Sequence, residues 1–363
     1  MKTYRVALIG TGAIAHSHVE ALRAAGERVE VAAAVDVNAD GLKTFCAKYN
    51  IPQAYQDADE MLSAVQPDLV HICTPPATHF NLIMKSLQAG AWVLCEKPLC
   101  ASLEEFDQMT AAEKQTGRYL STVFQWRFGA AAQHLKRLMK DNELGRPLVG
   151  VCQTLWYRDL AYYQVPWRGK WATEIGGPTV GHGIHLTDLF LWLMGEWQEV
   201  QAVRATLDRP IEVEDVSMAL VQFENQALGN ITNSVLSPRQ ESYLRMDFQR
   251  ATVELKSLYG YSNSNWSYSI PDGSSDAEQL QRWQTIEGDH GGNHTSQLLA
   301  LLDSMDRSER PLVSGNEARR ILEFIAALYK SSSTGQWVRR GSIVNGDPFY
   351  HSMNGMALER GKT

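Results

Sequence analysis

The sequence predicts an α/β protein in two parts, a parallel α/β sheet followed by a second α/β domain on a large, mostly antiparallel sheet. Three observations carry this prediction. The chain has 363 residues, more than one ordinary domain of roughly 150 residues accommodates. Its first third alternates short apolar strands with helices and opens on a glycine turn. Its second half holds six strand-like runs, several of them joined by short turns. Hydrophobic residues make up 44% and charged residues 21%, a globular composition that excludes wholesale disorder. Lys and Arg number 34 against 41 Asp and Glu, a net charge of −7, so nucleic acid is not an expected partner.

Each element of the first part follows in order. Residues 4–9 are an apolar run that reads as a buried parallel strand. Gly10-Thr11-Gly12-Ala13-Ile14-Ala15 follows directly, then a helical stretch to about Ala25, stopped by Gly26. Residues 29–35 read as a second strand ending at Asp36. This is G-x-G-x-x-A in a strand–turn–helix setting with an acid after the second strand, the pattern of a dinucleotide site. Gly10 permits the tight turn, Gly12 lets backbone approach a pyrophosphate, and the small Ala15 lets helix pack on strand. The helix N-terminus offers N–H groups and a positive dipole end to phosphate. Asp36 is expected to accept from the ribose hydroxyls. A carboxylate there repels a 2′-phosphate, and Val37 and Asn38 supply no cation, so NAD is expected over NADP.

The alternation continues. Residues 68–73 form a strand ending in Thr74-Pro75-Pro76, and 80–89 a helix stopped at Gly90. Residues 92–95 form a strand followed by Glu96-Lys97-Pro98-Leu99. Ser102 with Glu105 is a capping box opening a helix to Gly117, and 119–124 is the next strand. Ligands of such sheets bind at the C-terminal strand ends, which lines up Gly10, Asp36, Thr74, Lys97 and Gln125. The domain break is placed after residue 123, giving parts 1–123 and 124–363.

These motifs resemble the glucose-fructose oxidoreductase / inositol dehydrogenase / MocA-like family. The resemblance rests on the glycine turn, on Thr74-Pro75-Pro76 with His79, on Glu96-Lys97-Pro98-Leu99, and on Gly176-Gly177 followed by Gly183-Ile184-His185, Asp188 and Trp192-Leu193-Met194-Gly195. Pro311-Leu312-Val313-Ser314-Gly315 with Ala318-Arg319 extends it toward the C-terminus. It implies a Rossmann domain, a second domain with a large open sheet, and hydride exchange between a nicotinamide and a sugar or polyol. The family's Lys corresponds to Lys97 and its catalytic His to His185, and the Lys97–Pro98 bond is expected to be cis. The expected cofactor contacts are Gly10, Gly12, Ala13, Ile14, Asp36, Thr74, Pro75, His79, Glu96, Lys97, Gln125 and Arg168, the last because the family often brings a Trp-Arg pair, here Trp167-Arg168, to the nicotinamide end. Many members carry Asp four residues before the His. Here that position is Gly181, with His182 beside it, and His182 is expected to take part of that role.

In the second part, strands are expected at 149–156, 199–207, 217–223, 228–236, 243–248 and 251–255. A helix is expected at 178–194, with Gly195 as its stop. On one helix His182, His185 and Asp188 fall three apart and near one face. That pattern suits a metal, but no fourth ligand is evident and no metal is expected. Asp188 reads as a structural anchor. Histidine ionises nearest neutrality, so His185 suits removal of a hydroxyl proton. Lys97 suits stabilisation of the developing oxyanion, with Lys97 as the base an open alternative. Six of the 23 Trp and Tyr rings fall within 156–171. They serve either a sugar face or core and subunit packing. Tyr157, Trp167 and Lys170 join Lys97, His182 and His185 as expected substrate contacts. Residues 259–292 read as a long surface connection, and 293–306 and 315–331 as amphipathic helices. His294 is within reach of the substrate or is a solvated cap, and the aromatics of 346–350 dock on the body.

Five cysteines without C-x-x-C spacing argue against disulfides or structural zinc. No apolar run of about 18 residues is present, and a cytoplasmic protein that does not engage membrane is expected. The expected activity is NAD-dependent dehydrogenation of a sugar or cyclic polyol, inositol-like or anhydrosugar-like. Its rivals are an NAD-dependent glycosidase working by oxidation and elimination, and a non-catalytic nucleotide-sensing regulator. A homodimer or homotetramer through the second sheet is expected.

Overall fold

The computed structural model describes residues 2–271 and 277–356. The chain forms two compact units. The first runs to Val123 and takes back His294–Leu322; the second holds Phe124–Asn293 and the chain from Glu323. Elements of the first unit are β1 (Tyr4–Ile9), α1 (Ala13–Ala24), β2 (Val29–Val35), α2 (Ala39–Tyr49), β3 (Gln53–Tyr55), α3 (Ala58–Val65), β4 (Leu69–Ile72), α4 (His79–Gln88), β5 (Trp92–Cys95), α5 (Leu103–Thr116) and β6 (Leu120–Thr122). Those that follow are α6 (Ala130–Lys140), β7 (Pro147–Tyr157), α7 (Trp171–Glu174), α8 (Pro178–Gly181), α9 (Ile184–Met194), β8 (Trp197–Ala205), β9 (Val216–Phe223), β10 (Leu228–Ser234), β11 (Leu236–Phe248), β12 (Thr252–Ser257), β13 (Trp266–Ser269), α10 (Ala277–Gln284), α11 (His294–Arg307), α12 (Asn316–Thr334), β14 (Val338–Arg339) and α13 (Pro348–His351).

The first unit is a parallel sheet in the order β3-β2-β1-β4-β5-β6. Its central strands are apolar on both faces, with Val6, Leu8, Val70 and Val93 fully buried, as helices on both sides of a sheet require. Local chemistry starts the helices. Asn38 caps α2, Asp57 caps α3 and Ser102 caps α5, each contributing about 1 kcal/mol. In the predicted capping box, Glu105 receives the N–H of Ala101, one residue before the cap. Helix α11 belongs to this unit because Leu298, Leu301, Leu302 and Met305 enter one core with Val19 and Leu22 of α1. By sequence alone this segment falls with the second part, 124–363. Packing between residues nearly 300 positions apart leaves no trace in local periodicity.

The second unit carries an eight-stranded sheet in the order β13-β12-β11-β7-β10-β9-β8-β14. All pairings are antiparallel except β7 with β10. Helix α9 lies close on one face because β7 and β10 present Gly150 and Gly229 beneath it: a Cβ at either would stand 2.4 or 2.8 Å from the Phe190 ring. The other face is open and apolar in part, with Val149, Val203, Met218, Leu220 and Leu228 all 46–65% exposed.

Two expectations are corrected. The helix at 178–194 is two helices, α8 and α9, because His182 adopts φ −122° and ψ −52° between Gly181 and Gly183. His182 therefore does not share a helical face with His185 and Asp188. The connection 259–292 contains β13 and α10, and buries Trp266, Tyr268 and Trp283. The strand alternates ring and serine for only four residues, too briefly to stand out in a Ser- and Asn-rich stretch. All five cysteines are free and buried. Among the described residues no helix is long and apolar enough to cross a membrane.

Candidate active site

In the first unit the parallel register aligns the strand ends. Ile9 pairs with Val35 and Ile72, Ile72 with Cys95, and Cys95 with Thr122. The next residue on each strand, Gly10, Asp36, Cys73 and Glu96 among them, therefore lies along one edge, the edge where such sheets bind ligands. Gly10 has φ +93°, and a Cβ there would stand 2.8 Å from the Cys73 carbonyl group, so the protein's own backbone demands glycine. Gly12 differs. It is exposed with φ −69°, and a Cβ there would touch no protein atom. Packing within the chain does not require its missing side chain, and the open space there leaves room for a ligand's close approach. Helix α1 has no side-chain cap and no acid in its first turn, so its N-terminal N–H groups suit a pyrophosphate. Gly10, Gly12, Ala13 and Ile14 thus fit a dinucleotide.

Asp36 is half-buried. Its Oδ2 accepts from the Thr11 N–H at 2.8 Å and the Thr11 hydroxyl at 2.9 Å, and its Oδ1 from the Asn38 N–H at 2.9 Å. It ties the glycine turn to β2. A carboxylate offers about four acceptor positions, so room remains for a hydroxyl. Thr74 accepts from the Thr78 hydroxyl at 2.7 Å, and the exposed Pro75 precedes a short turn. His79 is buried with Nδ1 2.7 Å from the Pro98 carbonyl and Nε2 2.9 Å from the Thr74 carbonyl. Burial lowers its pKa and the two carbonyls raise it, with burial the stronger, so a neutral ring donates to one carbonyl at a time. His79 is thus a brace between two loops of the edge. Lys97–Pro98 is cis, and Lys97 is half-buried at the edge.

In the second unit His185 stands in the first turn of α9, its ring edge-on to Phe124 at 6.2 Å. His182, in the break between α8 and α9, has Nε2 3.2 Å from Arg158 Nε and 3.1 Å from the Tyr162 hydroxyl. A guanidinium only donates, so this Nε2 carries no proton. Arg158 lies over the rings of Trp156, Tyr162 and Tyr259 at 5.0–5.7 Å and makes no ion pair among the described residues. Arg168 lies over Tyr162 and Trp167, touches the Tyr162 hydroxyl and is 3.4 Å from Glu174. Burial raises the Tyr162 pKa, and Arg168 opposes it. Of the aromatic segment, Trp156 and Tyr162 therefore pack on His182 together with Arg158, while Trp171 packs on Tyr329 instead. Tyr157 and Lys170 are exposed, and Gln125 opens a turn beyond β6.

Asp188 takes a bidentate contact from fully buried Arg127, at 2.5 and 2.6 Å, the expected structural anchor. Gly176-Gly177 pack on Glu214 and Tyr329: a Cβ at Gly177 would stand 1.9 Å from the Glu214 carbonyl oxygen. Burial raises the Glu214 pKa, offset by donors from Thr179, Tyr329 and Gly177. Sequence reasoning missed Arg127 and Glu214, whose partners come from distant elements, and Glu174, which accepts from Gly169 and Arg168 five and six residues earlier. It also missed His18 and His71. His18 follows the glycine turn on α1 at a buried position, a signal that was available. His294 is neither a solvated cap nor free; its Nε2 is 3.1 Å from Glu96.

Comparison with known proteins matches residues 4–124 to the oxidoreductase family with an NAD-binding Rossmann fold, and residues 132–254 to the GFO/IDH/MocA C-terminal domain. D-glucoside 3-dehydrogenase of Escherichia coli is 24% identical over 91% of this chain and 96% of its own. Myo-inositol 2-dehydrogenase of Thermotoga maritima is 30% identical over 63% of this chain and 68% of its own. The crystal structure of the WlbA dehydrogenase from Bordetella pertussis, in complex with NADH and UDP-GlcNAcA, superposes with a TM-score of 0.82 at 25% identity, covering 93% of this chain and 99% of that one.

Proposed function

Because the chain belongs to the Gfo/Idh/MocA oxidoreductase family, whose named members are dehydrogenases acting on CH–OH groups, we propose that it oxidises a ring hydroxyl of a sugar or cyclic polyol and prefers NAD⁺ to NADP⁺. The observation that carries this reading is the strand-end edge itself. It presents an exposed glycine with open space where a Cβ would stand, a carboxylate after β2, and the Glu-Lys-Pro segment after β5.

The chemistry follows from the residues. A bound NAD⁺ supplies the hydride acceptor. His185 takes the hydroxyl proton, for which an imidazole is suited near neutral pH. Lys97 donates to the reacting oxygen and stabilises its developing charge. His182, fixed by Arg158 and Tyr162, orients hydroxyls, and the rings of Trp156, Tyr162 and Trp167 offer apolar faces to a sugar's C–H groups. Sugar dehydrogenation matches what the names of the relatives say of them.

The test is an NAD⁺ reduction screen over glucosides, inositols and anhydrosugars. Steady NADH formation supports the reading, and release of aglycone without NADH would replace it with the glycosidase. With the substrate found, Lys97→Met and His185→Ala are each expected to lower kcat by about 10²-fold or more while nucleotide affinity holds. Near-normal turnover in both would refute the assigned roles. We also propose that the partner is a second copy of the chain, docked through the open face of the sheet in the second unit.

A further inference from the structure

We infer that His294 is a positioning residue for Lys97, acting through the carboxylate of Glu96. The inference rests on the role proposed for Lys97 and concerns what holds it. Glu96 directly follows β5 with its side chain buried, where an unpaired carboxylate would be costly. Its Oε1 is 3.1 Å from both His18 Nε2 and His294 Nε2, and its Oε2 accepts the Lys97 backbone N–H at 3.2 Å. Burial raises the Glu96 pKa, but the two imidazoles outweigh it and hold the group well below the carboxylate range.

An ionised carboxylate only accepts, so both Nε2 atoms carry protons. His18 Nδ1 lies 2.9 Å from His71 Nδ1. Burial lowers the pKa of both rings, and neutral rings admit one arrangement: His71 Nδ1–H donates to His18 Nδ1, and His18 Nε2–H donates to Glu96. This leaves His71 Nε2 a bare acceptor, buried and without a partner among the described residues, a cheaper defect than an orphaned N–H. The result is a directed chain, His71 to His18 to Glu96, closed from the other side by His294.

Lys97 therefore sits between two anchored neighbours. Glu96 is held by its side chain, and the Pro98 carbonyl by His79. Of these anchors only His294 comes from outside the first 123 residues; it is the first residue of α11, and its side chain keeps 14% exposure. Catalytic groups need placement to within about 0.5 Å, so loosening Glu96 is expected to cost rate and spare nucleotide binding. One rival exists. The three ligand atoms lie within 4.8 Å of one another, close enough for a divalent metal to replace the two protons.

The test uses the full chain with His294→Ala and His294→Gln, the amide of Gln reaching where Nε2 donates. In His294→Ala, kcat is expected to fall about 10-fold with KM for NAD⁺ within about two-fold, and hydrogen exchange of the Lys97 amide to speed up by about 10-fold. His294→Gln is expected to restore most of both. Unchanged kcat and exchange in the Ala variant, or a Gln variant no better than Ala, would overturn the inference. So would one equivalent of zinc in the purified protein, or loss of kcat on chelation. If the wild type oxidises no sugar, the proposed function fails, while the exchange measurement still decides whether His294 holds Lys97.

Discussion

Asp36 shows how one side chain serves fold and function together. Its three donors, two from Thr11 and one from Asn38, bind the glycine turn to the end of β2, and its charge carries the proposed preference for NAD⁺. Val37 beside it is 87% exposed, so a larger side chain fits there. Asp36→Ser combined with Val37→Arg is expected to raise the ratio of kcat/KM for NADP⁺ to that for NAD⁺ by about 10²-fold. An unchanged ratio in steady-state assays would remove Asp36 from cofactor choice. The place of Asp36 at the end of β2 was legible because it depends on spacing from a local motif. Arg127, which neutralises Asp188 at zero exposure, was not, because an arginine in sequence reads as surface until its partner is seen.

The strand–turn–helix unit from β1 to α1 separates two uses of glycine that look alike in sequence. Gly10 answers to the protein, through φ +93° and the nearby Cys73 carbonyl; a Cβ at Gly12 meets nothing in the protein, and the proposed function gives that space to the nucleotide. Gly10→Ala is expected to cost about 1–3 kcal/mol or more in denaturant unfolding. Gly12→Ala is expected to cost under about 1 kcal/mol, yet to abolish NAD⁺ binding by calorimetry. Equal stability losses, or retained binding in Gly12→Ala, would contradict this division. The α8–α9 break is the opposite case. Apolar periodicity continues from residue 178 to 194, so the sequence reads as one helix. Gly181 and Gly183 flank the residue that leaves the helix, and a Cβ at Gly183 would strike Asn233 of β10 at 1.8 Å. Helix and sheet approach too closely there for an uninterrupted run of side chains.

At the scale of the molecule, the open, partly apolar face of the second sheet is where we propose that a second copy docks. Cross-strand pairing sets Val203 beside Met218, and Leu228 beside Val149. With Leu220, two residues from Met218 on β9, these five side chains lie exposed on one face of neighbouring strands, and apolar groups so placed favour association. The wild type is expected to have at least twice the monomer mass by light scattering at about 10 μM, within the range where standard interfaces hold. Met218→Asp with Leu220→Asp is expected to give the monomer with its fold intact. A monomeric wild type, or an unchanged variant, would refute the assignment. The sequence by itself determined the parallel α/β part, the glycine turn with Asp36, the Glu-Lys-Pro segment and the family, because each is written in local periodicity, short motifs and their spacing. Only the tertiary structure decided that α11 returns to the first unit, that His294 closes on Glu96, and that Trp156 and Tyr162 pack on His182. Those contacts join residues far apart in the chain, and the free energy that selects them comes from burial and pairing across the fold, which no local pattern records.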